Sequence, residues 1–182
     1  MRPSLMPLAV ALAAAIGPTP TVDAEMRPVR VAAVLPLEGR AALLLLEAPD
    51  SGVVLPLVIG LSEAGAIQEG RAGIVPPRPL THDLLAKTVA ALGAKVDRVD
   101  IDAFADSVFH AKVRLSQSGK VITVDARPSD SVALAVRTGA QIFAASRVLA
   151  DQGVSRADLD RLRRDPHELE RRLRGGPEGT RL

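Results

Sequence analysis

The feature that most limits the possible folds of this chain is an internal repeat at a fixed offset of 67 residues. At that spacing Val29 falls on Val96, Val34 on Ile101, Ser51-Gly52 on Ser118-Gly119, Leu57 on Val124, Ser62-Glu63 on Ser129-Asp130, Ala66 on Ala133 and Ile67 on Leu134. Whatever architecture the chain adopts must hold the same unit twice. In the first copy, residues 29–35, 41–47 and 53–59 read as extended runs. They are parted by Glu38-Gly39 and by Pro49-Asp50-Ser51-Gly52, and the second and third form a hairpin. A short helix follows, opened by Ser62-Glu63-Ala64-Gly65-Ala66-Ile67 and stopped near Gly70. The second copy has strands near 96–104, 107–115 and 120–125 and a helix near 130–138.

Between the copies lies the most clearly signalled helix, residues 81–92. Thr81 stands as its N-cap, Asp83 in its first turn, Leu85, Val89 and Leu92 on one face, and Gly93 at its end. A short strand at 141–143 and a helix from Ser146 close the domain. With 47% hydrophobic and 24% charged residues, the composition suits one globular domain of ordinary size with appendages. The expected fold class is α+β: duplicated β-β-β-α units forming mixed or antiparallel sheets packed with helices.

Both ends differ in character from the middle. An apolar run from Leu8 to Ile16 follows Arg2, and Val22-Asp23-Ala24 offers small residues before a cut, which together read as a signal peptide over residues 1–24. Such a run is too short to span hydrocarbon, which takes roughly 20 residues. The expectation is an exported, periplasmic or secreted protein without a stable membrane anchor; a disordered Ala-rich extension is the plainer alternative. Residues 25–153 form the expected domain and 154–182 an Arg-rich helical tail. Asp165-Pro166-His167-Glu168 marks a helix start in that tail.

Several chemistries are excluded at once. With no Cys there is no disulfide, no thiolate nucleophile and no Cys-ligated zinc. With no Trp or Tyr and 3 Phe, material for stacking bases is scarce, and a net charge of +2 is no electrostatic footprint for DNA. His82, His110 and His167 lack metal-ligand spacing. Gly60-Leu61-Ser62-Glu63-Ala64 is a weak match to a nucleophile elbow, and Ser129 at the repeated position favours capping over catalysis.

Two turns could carry chemistry. Val75-Pro76-Pro77-Arg78-Pro79-Leu80-Thr81-His82-Asp83 sets a stiff extended stretch before a helix N-terminus, where free N–H groups and the helix dipole favour an anion. Arg78 adds a guanidinium fork and His82 an imidazole, the side chain suited to proton transfer near neutral pH. A purely structural reading has the prolines brace a loop and Thr81 cap. Asp125-Ala126-Arg127-Pro128-Ser129-Asp130 gathers two carboxylates and an arginine at a strand-to-helix turn, suited to a hard cation or, more plainly, to a cap at Ser129 with Asp130 complementing the dipole. The plain account leaves Arg127 and Asp125 without a purpose.

Three phrases in series are more specific than any one of them. Ile59-Gly60 with Glu63-Ala64, then Pro76-Pro77-Arg78-Pro79-Leu80-Thr81-His82-Asp83-Leu84, then Val124-Asp125-Ala126-Arg127-Pro128-Ser129-Asp130 with Ala133-Leu134-Ala135, resemble the bifunctional nuclease domain family of bacteria and plants in order and spacing. The resemblance covers residues 29–153. It implies an α+β domain, often dimeric, and an activity on RNA and DNA. The apparent signal peptide and the Arg-rich tail depart from the plain family pattern.

The expected chemistry is phosphodiester hydrolysis. Asp125, Asp130 and Glu63 would ligate a divalent cation such as Mg2+ or Mn2+ that activates water. His82, Asp83, Asp125 and Asp130 form the expected catalytic set, and Arg78, Thr81, Arg127 and Ser129 would hold substrate. Grouping Glu63 with Asp130 follows from the repeat, because copies often meet across a pseudo-twofold axis. The rival reading is a non-catalytic dimeric module that binds a small anion or a protein partner.

Overall fold

The computed structural model describes residues 25–37, Gly39 and residues 41–164. The expected signal segment and the helix expected from Asp165 lie outside these described residues. The first copy forms β1 (Met26–Pro36), β2 (Ala41–Glu47), β3 (Val53–Gly60) and α1 (Leu61–Arg71); α2 (Thr81–Ala91) links it to the second. The second copy forms β4 (Ala94–Ala105), β5 (Val108–Gln117), β6 (Lys120–Ala126) and α3 (Pro128–Thr138). β7 (Gln141–Ala145), α4 (Ser146–Gln152), β8 (Val154–Ser155) and α5 (Arg156–Arg164) follow.

Both copies share one mixed sheet of order β6-β5-β4-β7-β1-β2-β3-β8. β7 joins them, parallel to β4 and antiparallel to β1. Each meander therefore runs outward from β7, and the two run in opposite senses, as a pseudo-twofold axis through β7 requires. The outer hairpins, β2–β3 and β5–β6, turn on Gly52 at φ 67° and Gly119 at φ 77°, equivalent positions that need the left-handed region open to glycine.

Burial explains the order of strands. β2 reads as an unbroken apolar run because both its faces are covered. Leu44 and Leu46 join the main core with Ile67, Val99, Ile101 and Val132, while Leu43 and Leu45 meet Val54 and Leu159 on the other face. Leu159 belongs to α5, and β8 pairs with β3. The boundary expected between Gly153 and Val154 thus falls inside the packed unit, and the start of the tail is part of the sheet. Among the described residues no helix is long and apolar enough to cross a membrane.

α4 starts at Ser146 as expected, whereas α1, α2 and α3 each start one or two residues earlier than expected. Thr81 is the first helical residue of α2, not its cap; Leu80 holds the N-cap position, and the Asp83 carboxylate accepts its N–H at 3.1 Å. Ser129 likewise sits inside α3, whose N-cap is Arg127. The strand runs straight into the helix there, and Pro128 at the first helical position suits its locked φ. On α2 the inward residues are Ala86 and Val89, which pack on the core, while Leu85 and Leu92 are exposed. That rotation places His82, four residues before Ala86, on the inner side.

α1 and α3 approach closely at Gly70, where a Cβ would stand 2.6 Å from Val136 Cγ2 and 3.0 Å from Arg137 Nη1. Gly70→Ala should therefore destabilise the fold by about 1–2 kcal/mol despite alanine's better helix propensity. Urea denaturation checks this, and an unchanged or higher midpoint would show that the helices yield freely.

Candidate functional site

The site grows from two equivalent strand-to-helix turns. β3 passes into α1 at Gly60 (φ −71°, ψ 158°) and β6 passes into α3 at Arg127 (φ −70°, ψ 145°). Neither residue caps its helix through a side chain. Glu63 and Asp130 consequently occupy the same third helical position of α1 and α3. The Ser131 hydroxyl donates to the Arg127 carbonyl at 3.0 Å and closes the α3 turn.

Arg127 ties the two copies together. Its Nε donates to Asp130 Oδ2 at 2.8 Å and its Nη2 to Glu63 Oε1 at 2.8 Å. The second Asp130 oxygen, Oδ1, lies 3.1 Å from His82 Nε2 in the first turn of α2. The first turns of three helices thus meet in one chain of polar contacts: Glu63, Arg127, Asp130, His82. The His82 side chain is 12% exposed and that of Arg127 68%, so the cluster runs from the helix interface out to solvent.

A second arginine fastens the same helices below the surface. Arg137, 6% exposed, donates through Nε to Asp83 Oδ1 at 2.7 Å and through Nη1 to the Ala66 carbonyl, and approaches Glu69 at 3.8 Å. It therefore touches α1 and α2 from α3. Asp83, expected among the catalytic residues, is placed as an anchor, accepting from Arg137 and from the Leu80 N–H.

The other expected residues are distributed unevenly. Arg78 is exposed in the loop before α2, with no ion pair among the described residues, and Thr81 is exposed at the start of that helix. Ser129 is buried inside the first turn of α3. Asp125 lies elsewhere: on β6 it pairs with Lys112, whereas Ala111 and Val113, on either side of Lys112, join the core under α3. Asp125 thus points to the opposite face of the sheet, away from Glu63 and Asp130. On that face the buried Asp100 is held by Arg98 and Arg114 and Asp102 by Lys112.

This donor set does not fit the expected Mg2+ or Mn2+ site. Hard cations take about six oxygen ligands, whereas Asp125 is remote and Arg127 engages both Glu63 and Asp130. Among the described residues no group of three His, Cys, Asp or Glu side chains has the arrangement of a metal site.

Charge pairing sets the titration of these groups. Burial pushes the Asp130 carboxyl up, but the hydrogen bonds from Arg127 and His82 together outweigh it and hold it below the usual carboxylate range. The hydrogen bond from Arg137 does the same for Asp83. Asp130 and then Glu63 keep Arg127 charged even more firmly than a free guanidinium.

Two strand-to-helix turns locked by one arginine, with a histidine from the linking helix, are made of the three phrases whose spacing first suggested a family. The profile of the bifunctional nuclease domain matches residues 44–157, well over half of the chain. The chain belongs to the bifunctional nuclease domain family. It is also 42% identical over 130 residues to two proteins of Mycobacterium tuberculosis, "Uncharacterized protein MT1877" of strain CDC 1551 / Oshkosh and "Uncharacterized protein Rv1829" of strain ATCC 25618 / H37Rv. Each match covers 71% of this chain and 76% of the relative. In this bifunctional nuclease domain the residue that sequence reasoning missed is Arg137. The repeat held its signal, since the offset of 67 places Arg137 on Gly70 just as it places Arg127 on Gly60.

Both depressed carboxylates give the domain a one-sided acid sensitivity. Their folded pKa values lie below the unfolded ones, so the unfolded chain takes up protons first as pH falls. The stabilisation is complete above about pH 5 and is lost as pH drops below about 4. Urea midpoints from pH 7 down to about pH 3 should hold level and then fall. Asp83→Asn should lower the plateau and shrink the fall; an undiminished fall in that variant would contradict the assignment.

Proposed function

We propose that this protein hydrolyses phosphodiester bonds of RNA, DNA or both at the cluster of His82, Asp130 and Arg127. The observation that carries the reading is the contact between His82 Nε2 and Asp130 Oδ1, 3.1 Å apart across 48 residues of sequence. Membership of a nuclease-domain family supports it.

A carboxylate on Nε2 orients the imidazole and favours the tautomer with its proton there. Nδ1 is then left to take a proton from an attacking water. As the water oxygen bonds to phosphorus and the P–O bond to the leaving oxygen breaks, the imidazolium beside Asp130 is the proton source for that oxygen. Arg127 uses Nε and Nη2 within the cluster and keeps Nη1 for a phosphate oxygen. The first backbone N–H groups of α2 add positive potential beside His82, and the exposed Arg78 stands on the loop that leads into that helix. Glu63 and Asp130 are both engaged by Arg127, so the side chains of the cluster themselves carry the proton transfers and the charge.

Cleavage of plasmid DNA and single-stranded RNA by the purified protein tests this, with and without EDTA. His82→Asn and Asp130→Asn should each slow cleavage by about a hundredfold or more, the usual worth of a positioned proton carrier, and cleavage should persist in EDTA. Wild-type rates in His82→Asn would overturn the reading. Nucleic acid that is bound but never cut would favour the non-catalytic module.

We also infer that two copies associate. Leu80, Leu84, Leu85 and Leu92 are exposed at and along α2, at 49%, 58%, 43% and 66%, an apolar surface that favours association. Light scattering should give a dimer mass for the protein and a monomer mass for a Leu84→Glu, Leu92→Glu double variant. A monomeric wild type would contradict the inference.

A further inference from the structure

We propose that the protein holds a dianionic phosphoryl group in a second site, an arginine-lined cleft at the open end of β7. The site goes beyond the hydrolytic cluster and uses none of its residues.

The cleft arises from a mismatch in strand length. β7 has five residues, and its pairing with β1 ends at Val29 opposite Ile142. From Arg30 onward β1 has β2 on one side and, among the described residues, no strand on the other. Just past that point β1 carries a bulge: Val31 pairs with Leu46 and Ala33 with Leu45, which leaves Ala32 without a cross-strand partner. Bulges disrupt the ladder locally and are frequent beside binding sites. A cavity of ≈ 400 Å³ opens here, lined by Arg30, Val31, Ala32, Glu47, Arg71 and Arg156, within the ~300–1,000 Å³ range of small-molecule sites.

The charges in this cleft are arranged around one buried acid. Glu47, 5% exposed, accepts from Arg30 Nε and Nη2 at 3.1 and 2.8 Å and from Arg156 Nη1 at 2.5 Å. Those arginines hold the Glu47 carboxyl below the usual range. The carboxylate consumes one unit of charge and fixes two guanidiniums on the wall. It leaves Arg30 Nη1 and Arg156 Nε and Nη2 as donors. Arg71, the last residue of α1, lines the same cavity with no ion pair among the described residues. Three guanidiniums against one carboxylate leave a net charge of +2, which matches a phosphoryl group carrying about −1.5 to −2 near pH 7.

Bracing α5 against the sheet would need only Glu47 and its two arginines; it does not account for Arg71 or for the cavity. Arg71 lies eight positions beyond Glu63 along α1, about 12 Å of helix, so this cleft and the His82 cluster are separate sites.

Calorimetric titration of the full chain with inorganic phosphate, at constant ionic strength, tests the site. One saturable phosphate per cleft is expected. Arg71→Gln, which breaks no ion pair, should weaken binding by about tenfold or more, as loss of a charged hydrogen bond does. His82→Asn should leave it within about twofold, so failure of the hydrolytic reading and failure of this one are separable. The same oligonucleotide with and without a 5′-phosphate then separates the sources. Tighter binding of the phosphorylated form, lost in Arg71→Gln, assigns the terminus of a nucleic-acid strand, and equal binding assigns a small phosphate ester. No saturable phosphate binding, or binding unchanged in Arg71→Gln with an unaltered melting temperature, would overturn the proposal.

Discussion

One guanidinium holds the functional end of this molecule together. Arg127 leaves the sheet at the mouth of α3 and grips two carboxylates, its own copy's Asp130 and the other copy's Glu63. Taken alone, either pair would be a partly exposed ion pair of modest worth. Sharing one fork between two carboxylates sets the distance between two helix N-termini, and Asp130, thus fixed, sets the imidazole of His82. The geometry that could move protons is inherited from a contact whose first effect is to join the repeats.

The duplication works because it is broken in the right places. At two equivalent positions the first copy has glycine and the second arginine: Gly60 with Arg127, and Gly70 with Arg137. Gly70 has no side chain where α3 presses against α1, and Arg137 fills that space while reaching Asp83 and the Ala66 carbonyl. At Gly60 a Cβ would stand within contact of the Glu63 carboxylate, so glycine lets Glu63 fold back toward the turn where Arg127 meets it. A symmetric repeat with arginine in both copies would crowd four guanidiniums about the axis. One with glycine in both would leave the carboxylates facing each other unscreened.

Much of this was legible in the residues and some of it could not be. The two β-β-β-α units, the helix after the proline-rich loop and the pairing of Glu63 with Asp130 follow from periodicity and from the repeat register, which are local or nearly local signals. The merging of both units into one sheet depends on β7, five residues whose pairing with β1 and β4 no local pattern announces. Ser62 and Ser129 invite reading as caps, since Ser is a favoured cap residue. The strands instead continue to Gly60 and Ala126, and that boundary is decided by sheet pairing. Asp125 and Asp130 are five apart in sequence yet face opposite sides of the sheet, because a strand alternates and the helix begins between them. Leu159 stands among charged neighbours that read as an Arg-rich tail, but Leu43 and Leu45 need a cover on the second face of β2, and Leu159 supplies it.

In the proposed reaction His82 and Asp130 act as one unit through their shared hydrogen bond. A double-mutant cycle on kcat/KM for RNA cleavage, with His82→Asn, Asp130→Asn and the two combined, addresses it directly. If the account holds, the double variant is scarcely slower than the worse single variant, since removing either partner already disables the pair. Losses that simply multiply would show two independent residues and would contradict it.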